Sequence, residues 1–124
     1  MAGFSFRERA GRFRHAFSGL GFMLRTQHNA WLHAVATLLV VALGVALDLA
    51  AADWKWLVLT IVMVWVAEAT NTAFEHLCDA VSPDDNASVK VAKDVAAGAV
   101  LICAIGAVSM AWLIFGPYLF TFTG

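Results

Sequence analysis

The sequence predicts an all-α membrane protein, with an N-terminal surface helix followed by three membrane-spanning helices. Hydrophobic residues make up 61% of its 124 residues and charged residues only 14%, whereas a soluble domain has roughly 25% charged residues. Three long apolar runs also alternate with short polar segments. A chain this short could not bury so much apolar surface in its own core, so the bilayer must cover it.

The first segment, residues 4–25, places large apolar side chains between arginines. Phe13, Phe17, Leu20 and Leu24 share one face of a helix, and this pattern predicts a helix that lies on the membrane surface. An ordinary basic flank that only sets orientation is the alternative. Five of the eight basic residues precede the first apolar run: Arg7, Arg9, Arg12, Arg14 and Arg25. We expect no nucleic-acid binding, because the rest of the chain belongs in lipid.

Three spans are predicted, at residues 30–48, 54–78 and 92–116. The first is uncharged from Ala30 to Leu47 and would reach roughly 27 Å, close to the thickness of a bilayer core. The second must continue through polar residues to cross the membrane. The third is uncharged from residue 95 to 115 and ends at Gly116–Pro117. Residues 82–88 have a loop composition.

Orientation follows from the basic residues. The N-terminal segment carries five of them, and Lys90 and Lys93 lie near the boundary between spans two and three. The connection between spans one and two carries only Lys55. By the positive-inside rule, the N-terminus and the 78–93 loop are cytoplasmic.

The second span contains polar residues that we call the acidic stripe, defined as Glu68, Asn71, Glu75 and Asp79. They are separated from Glu68 by three, seven and eleven residues, which at ~100° per residue places them within roughly 80° of one another. Thr72 flanks the stripe. Charged groups inside a membrane helix are costly and are candidates for function.

The stripe suits two kinds of chemistry. Carboxylates are ligands that Mg²⁺ prefers, and a carboxylate withdrawn from water suits the role of a base, because burial favours its protonated form. Glu68 lies deepest and is the candidate base, whereas Glu75 is nearer the aqueous face and is the candidate metal ligand. The alternative is a helix end that packs against polar parts of its neighbours.

Lys93 and Asp94 lie across the short loop, at the start of the third span. Taken alone, the two residues have a structural explanation, because an aspartate favours the first turn of a helix and a lysine is common at a membrane border. Beside the stripe, they supply a cation for phosphate oxygens and another carboxylate.

Two motifs in these segments resemble the prokaryotic diacylglycerol kinase and undecaprenol kinase family. They are E-x-x-N-T-A-F-E-x-x-x-D at residues 68–79 and A-K-D-V-A-A-G-A-V at residues 92–100. The stretches at residues 13–20 and 25–33 are also similar to that family. The resemblance implies a homotrimeric lipid kinase of the bacterial inner membrane that passes the γ-phosphate of Mg·ATP to a lipid hydroxyl.

The resemblance also implies roles for individual residues. It makes Glu68 the general base and Glu75 a Mg²⁺ ligand, and it places the loop near the nucleotide. The remaining expected nucleotide contacts are Asn71, Asp84, Asp85, Asn86, Lys93 and Asp94. Asp79 and Thr72 would support the site.

Two positions depart from the family pattern. Gln27 stands where the family often has a metal-binding glutamate, and an amide oxygen can still coordinate Mg²⁺ or hold a ligating water, but without charge. Asn86 stands where the family loop often carries a histidine. The segment at residues 92–100 and the spacing of Asn29 and His33 look more like the undecaprenol kinase branch, although the two branches overlap.

Two other functions fit parts of the pattern. A small ion- or proton-coupled transporter also uses intramembrane carboxylates, but it would place its key acid near the midplane, whereas here the acids cluster toward one face. A non-catalytic membrane subunit would leave the aligned carboxylates unexplained.

Overall fold

The computed structural model describes residues 3–120, which form four helices in a row. Helix α1 spans Phe6–Thr26, α2 spans His28–Ala46, α3 spans Ala51–Val81 and α4 spans Ala87–Phe120. The fold class expected from the sequence is confirmed. The protein has a loop end, which carries the α3–α4 loop 82–86, and a turn end, which carries the α2–α3 turn 47–50.

Helix α1 lies largely apart from the other three. Ser5 precedes it as N-cap, and its hydroxyl accepts a hydrogen bond of 3.4 Å from the backbone N–H of Glu8. Phe13 and Phe17 are about 70% exposed, and Met23, near the end of the helix, is its only buried residue in the described structure. An apolar face with no partner in the protein fits a helix that lies on the membrane.

Helices α3 and α4 form the most extensive helix pair, and α2 packs against α3. Their best-packed region lies at the turn end, where Leu49, Leu57, Ile114 and Phe115 form a buried cluster. The second residue of the turn, Asp48, has a left-handed conformation with φ of 54°. The N–H of Asp48 donates to the carbonyl of Val45, and that of Leu49 donates to that of Gly44, the pattern of a Schellman C-cap.

Helix α4 extends further than the apolar run that the sequence assigns to the third span. It continues through Pro117 to Phe120, although a proline cannot donate the usual helical hydrogen bond. The extension is anchored by Tyr118, whose hydroxyl donates to Asp53 at 2.6 Å and accepts from the N–H of Ala50 at 3.0 Å.

Three of the helices, α2, α3 and α4, are long and apolar enough to cross a membrane. The 31 residues of α3 and 34 of α4 reach about 46 and 51 Å, well beyond a hydrocarbon core of about 30 Å. Both helices therefore extend into the polar interface at their ends. Their outward faces carry exposed apolar side chains along most of their length, which a bilayer would cover. The chain is a multi-pass membrane protein.

Candidate functional site

The acidic stripe becomes more exposed along α3, in the direction that the sequence predicts. Glu68 is 1% exposed and Asn71 is 8% exposed, while Thr72 beside them is also buried. Glu75 is half-buried and Asp79 is exposed at the loop end. The helical spacing therefore produces a line of polar groups that begins inside the protein and ends at its surface.

Glu68 faces a histidine from the neighbouring helix. Its Oε2 atom lies 3.4 Å from Nε2 of His33 on α2, and within residues 3–120 this oxygen has no hydrogen bond of accepted geometry. Because a buried carboxylate without partners is costly, the position is explained better by reactivity than by stability. The sequence places His33 in the first span but does not indicate that it contacts Glu68.

A second contact between α2 and α3 fixes the backbone at His33. The hydroxyl of Thr37 donates to the carbonyl of His33 at 2.6 Å and accepts from the indole N–H of Trp65 at 3.0 Å. The rings of His33 and Trp65 are also in edge contact, with centroids 6.3 Å apart. Trp65 therefore packs against one edge of the imidazole, and its bond to Thr37 ties it to α2.

Asn71 lies at the floor of a groove between α2 and α4. Its Oδ1 atom is buried and has no hydrogen-bond partner in the described part of the chain. The groove has a volume of about 270 Å³, and the side chains that form its walls are mostly apolar. It is lined by Asn29, Leu32, His33, Asn71, Ala97, Val100, Leu101 and Ala104.

A second groove continues from the first toward the turn end. The two share His33 and Ala104, and the second holds about 190 Å³ between α2, α3 and α4. Its lining is almost entirely apolar, with Ala107 and Ala111 on α4 and Val40 on α2. His33 thus lies where the groove with Asn71 at its floor meets the second, almost entirely apolar groove.

At the loop end, Lys93 and Asp94 do not act as a unit, because each has its own partner. Lys93 donates to Asp79 at 2.5 Å and joins α3 to α4 across the loop. Asp94 accepts from Lys90 at 2.7 Å, one helical turn earlier. Lys90 is absent from the residues that the sequence singles out for the site, although its spacing of four from Asp94 is a recognised pairing distance.

The three loop residues expected to touch the nucleotide lie around an open polar cavity of about 500 Å³. Asp84 and Asp85 are exposed. Asn86 serves the fold as well, because its amide oxygen accepts from the backbone N–H groups of Ser88 and Val89 at 2.9 and 3.3 Å and caps α4. Lys90 and Lys93 line the same cavity.

The expected metal ligands lie at the same end of the protein. Glu75 is half-buried on α3, and Gln27 is the junction between α1 and α2. An edge contact between Phe22 and His76, with centroids 5.1 Å apart, brings the end of α1 beside this part of α3. Among the described residues, no three acidic, histidine or cysteine side chains are grouped tightly enough to hold a metal alone. This fits Mg²⁺, which needs only one or two protein carboxylates when phosphates supply other ligands.

Fold and site together define a small multi-pass membrane protein with a buried carboxylate near a mostly apolar groove. At one end it has an acidic loop whose cavity is also lined by two lysines of α4. Residues 14–115 match the model of the family described as prokaryotic diacylglycerol kinase. The chain belongs to that family and is a lipid kinase.

Two relatives share most of this chain. The undecaprenol kinase of Bacillus subtilis is 36% identical over 107 residues, which cover 86% of this chain and 87% of the relative. The diacylglycerol kinase of Synechocystis sp. is 38% identical over 97 residues, which cover 77% of this chain and 55% of the relative. The two relatives are named for different lipids, so family membership leaves both substrate classes open.

Proposed function

We propose that the chain transfers the γ-phosphate of Mg·ATP directly to the hydroxyl of a membrane lipid, with Glu68 as the general base. The observation that carries this proposal is the burial of Glu68 with an oxygen that no hydrogen bond satisfies. Catalysis of phosphoryl transfer depends mainly on positioning and on charge stabilisation. A protein base for the attacking hydroxyl is the one chemical function that such a site must add.

The reaction balances without a covalent enzyme intermediate. The lipid O–H bond breaks as Glu68 takes the proton, and the lipid oxygen forms a bond to the γ-phosphorus. The bond between the γ-phosphorus and its bridging oxygen breaks, and ADP leaves with that electron pair. A positioned base of this kind contributes about 10²- to 10⁴-fold in rate.

The lipid would approach through the two grooves between α2 and α4. Their apolar walls suit acyl or isoprenoid chains. Two polar side chains that line them, His33 and Asn71, lie where the hydroxyl of a bound lipid would be placed. Either a diacylglycerol or undecaprenol fits this description. Of the two relatives described above, the undecaprenol kinase is covered over 87% of its length and the diacylglycerol kinase over 55%, so undecaprenol is the first lipid to test.

The nucleotide would bind from the loop end. Lys90 and Lys93 line the loop cavity, and a phosphate chain lying along the acidic stripe would run from that cavity toward Glu68. Glu75, seven residues from Glu68, lies roughly 10 Å along the helix axis from it. Three aspartates near this cavity would contact the nucleotide or modulate how Lys90 and Lys93 bind it: Asp84, Asp85 and Asp94.

Glu75, with the amide oxygen of Gln27, would hold Mg²⁺ together with the nucleotide phosphates. When bound, the cation offsets negative charge on the transferred phosphoryl group. Among residues 3–120, the side chain of Glu75 makes no hydrogen bond or ion pair and is half-buried, so its carboxylate is available as a ligand. Asn71 would orient the phosphoryl group or the lipid hydroxyl.

Three helices leave the site open on one side. The grooves and the loop cavity are both bounded by exposed residues of one chain, and water must be excluded for efficient transfer. We propose that a homotrimer closes the site. The N-terminus and the α3–α4 loop face the cytoplasm, where ATP is found, and the protein lies in the bacterial inner membrane.

The extent of the whole acidic stripe favours a kinase over a transporter. Glu68 faces His33, which is five residues from the start of α2 and so lies to the loop-end side of the middle of that helix. Glu75 and Asp79 lie still nearer the loop end, where Asp79 is exposed. A transporter would centre its key acid on the midplane, whereas these carboxylates extend from Glu68 to the loop-end surface.

The decisive experiment incubates the purified protein in lipid with γ-labelled ATP, Mg²⁺ and either undecaprenol or diacylglycerol. We expect label in one lipid and loss of at least about 10²-fold in rate for Glu68→Gln. His15→Leu, on the exposed part of α1, is the control. Label in neither lipid would overturn the kinase proposal, and full activity of Glu68→Gln would overturn the assignment of the base.

A further inference from the structure

His33 is the only basic side chain that contacts Glu68 in the described structure, and it reaches Glu68 from a different helix. We infer that His33 is a positioning residue for the reaction: its Nε2–H orients the Glu68 carboxylate toward the lipid hydroxyl and offsets the cost of burying its charge. This inference rests on the proposed function, since it assigns a partner to the proposed base.

The environment of Glu68 makes such a donor necessary. A buried carboxylate that lacks a charged or hydrogen-bonding partner is strongly disfavoured. The facing part of α4, residues 95–115, contains no acidic or basic side chain. The imidazole on α2 is therefore the group that can supply a charge-assisted hydrogen bond.

The separation of 3.4 Å between Nε2 of His33 and Oε2 of Glu68 fits a resting site. Catalytic hydrogen bonds are often long without substrate and shorten in the reacting complex. The contact uses one carboxylate oxygen, which leaves the other for the proton of the lipid hydroxyl. When Glu68 takes that proton, it stays beside the same imidazole, so no charged group has to move.

The position of His33 also couples the base to the substrate path. The residue lines both grooves between α2 and α4, so a lipid hydroxyl that enters there passes the imidazole before it reaches Glu68. The ring of Trp65 packs against the imidazole and limits its rotation. A restricted imidazole can orient a carboxylate better than a freely rotating one.

The experiment compares His33→Leu, which removes the donor, with His33→Gln, which keeps an N–H donor in a side chain of similar length. Displacement of a catalytic group by about 1 Å can cost about 10²-fold in rate. We expect this loss in kcat for His33→Leu, with unchanged KM for ATP, and recovery of most of it in His33→Gln. An equal loss in both variants, or a loss confined to KM for the lipid, would overturn the inference.

A readout that does not depend on activity separates this inference from the proposed function. Nuclear magnetic resonance of protein with ¹⁵N-labelled histidine should show that Glu68→Gln shifts the imidazole signals of His33, while Glu75→Gln leaves them in place. Unshifted His33 signals in Glu68→Gln would overturn the contact. If the signals shift and Glu68→Gln stays fully active, the assignment of the base fails although the contact exists.

Coupled substitutions provide the final test. Residues that act as a unit show non-additive effects, so the double variant His33→Leu/Glu68→Gln should be no less active than Glu68→Gln alone. Multiplied losses in the double variant would show independent roles and would overturn the positioning role.

Discussion

The polar groups at the two ends of the α3–α4 pair differ in how completely they are hydrogen-bonded. At the turn end, the partly exposed hydroxyl of Tyr118 both donates and accepts a hydrogen bond, beside the packed cluster that contains Leu57 and Phe115. In the half toward the loop end, Glu68 and Asn71 each bury an oxygen with no hydrogen bond within residues 3–120. The same two helices therefore carry hydrogen-bonded polar groups at one end and buried oxygens without hydrogen bonds toward the other.

This difference separates stability from function. Native proteins satisfy nearly all buried polar groups, and the exceptions are expected at functional sites. Packing at the turn end fixes the arrangement of α3 and α4. The half toward the loop end holds buried polar groups that would gain hydrogen-bonding partners when the substrates bind. Substitutions in the two regions should thus have opposite effects on stability.

The largest effect is expected at Asn71. Asn71→Leu removes a buried, unpaired amide from the floor of the groove, so we expect a loss of kinase activity of about 100-fold and a gain in stability of about 1 kcal/mol. Activity and thermal unfolding in detergent micelles measure the two changes.

Asn29→Leu, at an exposed amide that lines the same groove, should give no such gain in stability. A destabilised Asn71→Leu would show that the amide has a structural partner and would remove the contrast between the two ends.

A steric change at the turn end should act on stability alone. A Cβ on Gly44 would lie 2.8 Å from Cη2 of Trp54 and 3.0 Å from Cδ1 of Leu49. We expect Gly44→Ala to lower the free energy of unfolding by about 1–3 kcal/mol, as overpacking does. The activity of the folded fraction should be retained.

Gly106→Ala on α4 is the matched control, since no atom beyond its own helix lies within 4 Å of a Cβ there. In a helix interior this change should stabilise by about 0.5–1 kcal/mol. Equal effects at Gly44 and Gly106 would contradict the close packing of α2 on Trp54.

Removing one hydroxyl tests the satisfied network directly. Tyr118→Phe deletes the bonds to Asp53 and to the N–H of Ala50, and we expect it to lower the unfolding midpoint, opposite in sign to Asn71→Leu. Asp53→Asn keeps an acceptor and should cost less. Unfolding midpoints of the three variants give the comparison, and a neutral Tyr118→Phe would mean that the extension of α4 is not anchored there.

The sequence predicts the parts of this structure that depend on periodicity. The three spans and the burial order of Glu68, Glu75 and Asp79 follow from hydrophobic runs and from the helical repeat. What it does not predict depends on contacts between helices. The pairing of His33 with Glu68, the separate partners of Lys93 and Asp94, and the continuation of α4 through Pro117 are set by packing, which spacing along one helix cannot reveal.

The smallest effect is expected at the turn itself, where Asp48 adopts a left-handed conformation with φ of 54°. Glycine meets no steric cost there, whereas another residue is strained by roughly 1–2 kcal/mol, less for aspartate than for most. Part of that gain is offset, because glycine also increases the freedom of the unfolded chain. We expect Asp48→Gly to raise the free energy of unfolding by about 0.5 kcal/mol without changing kinase activity, as measured by thermal unfolding in micelles. Asp48→Val should be clearly destabilised, because a β-branched residue is poorly tolerated at positive φ. If Asp48→Gly were instead destabilised, the aspartate side chain itself would be stabilising the turn, and the Schellman backbone bonds alone would not account for the packing at this end.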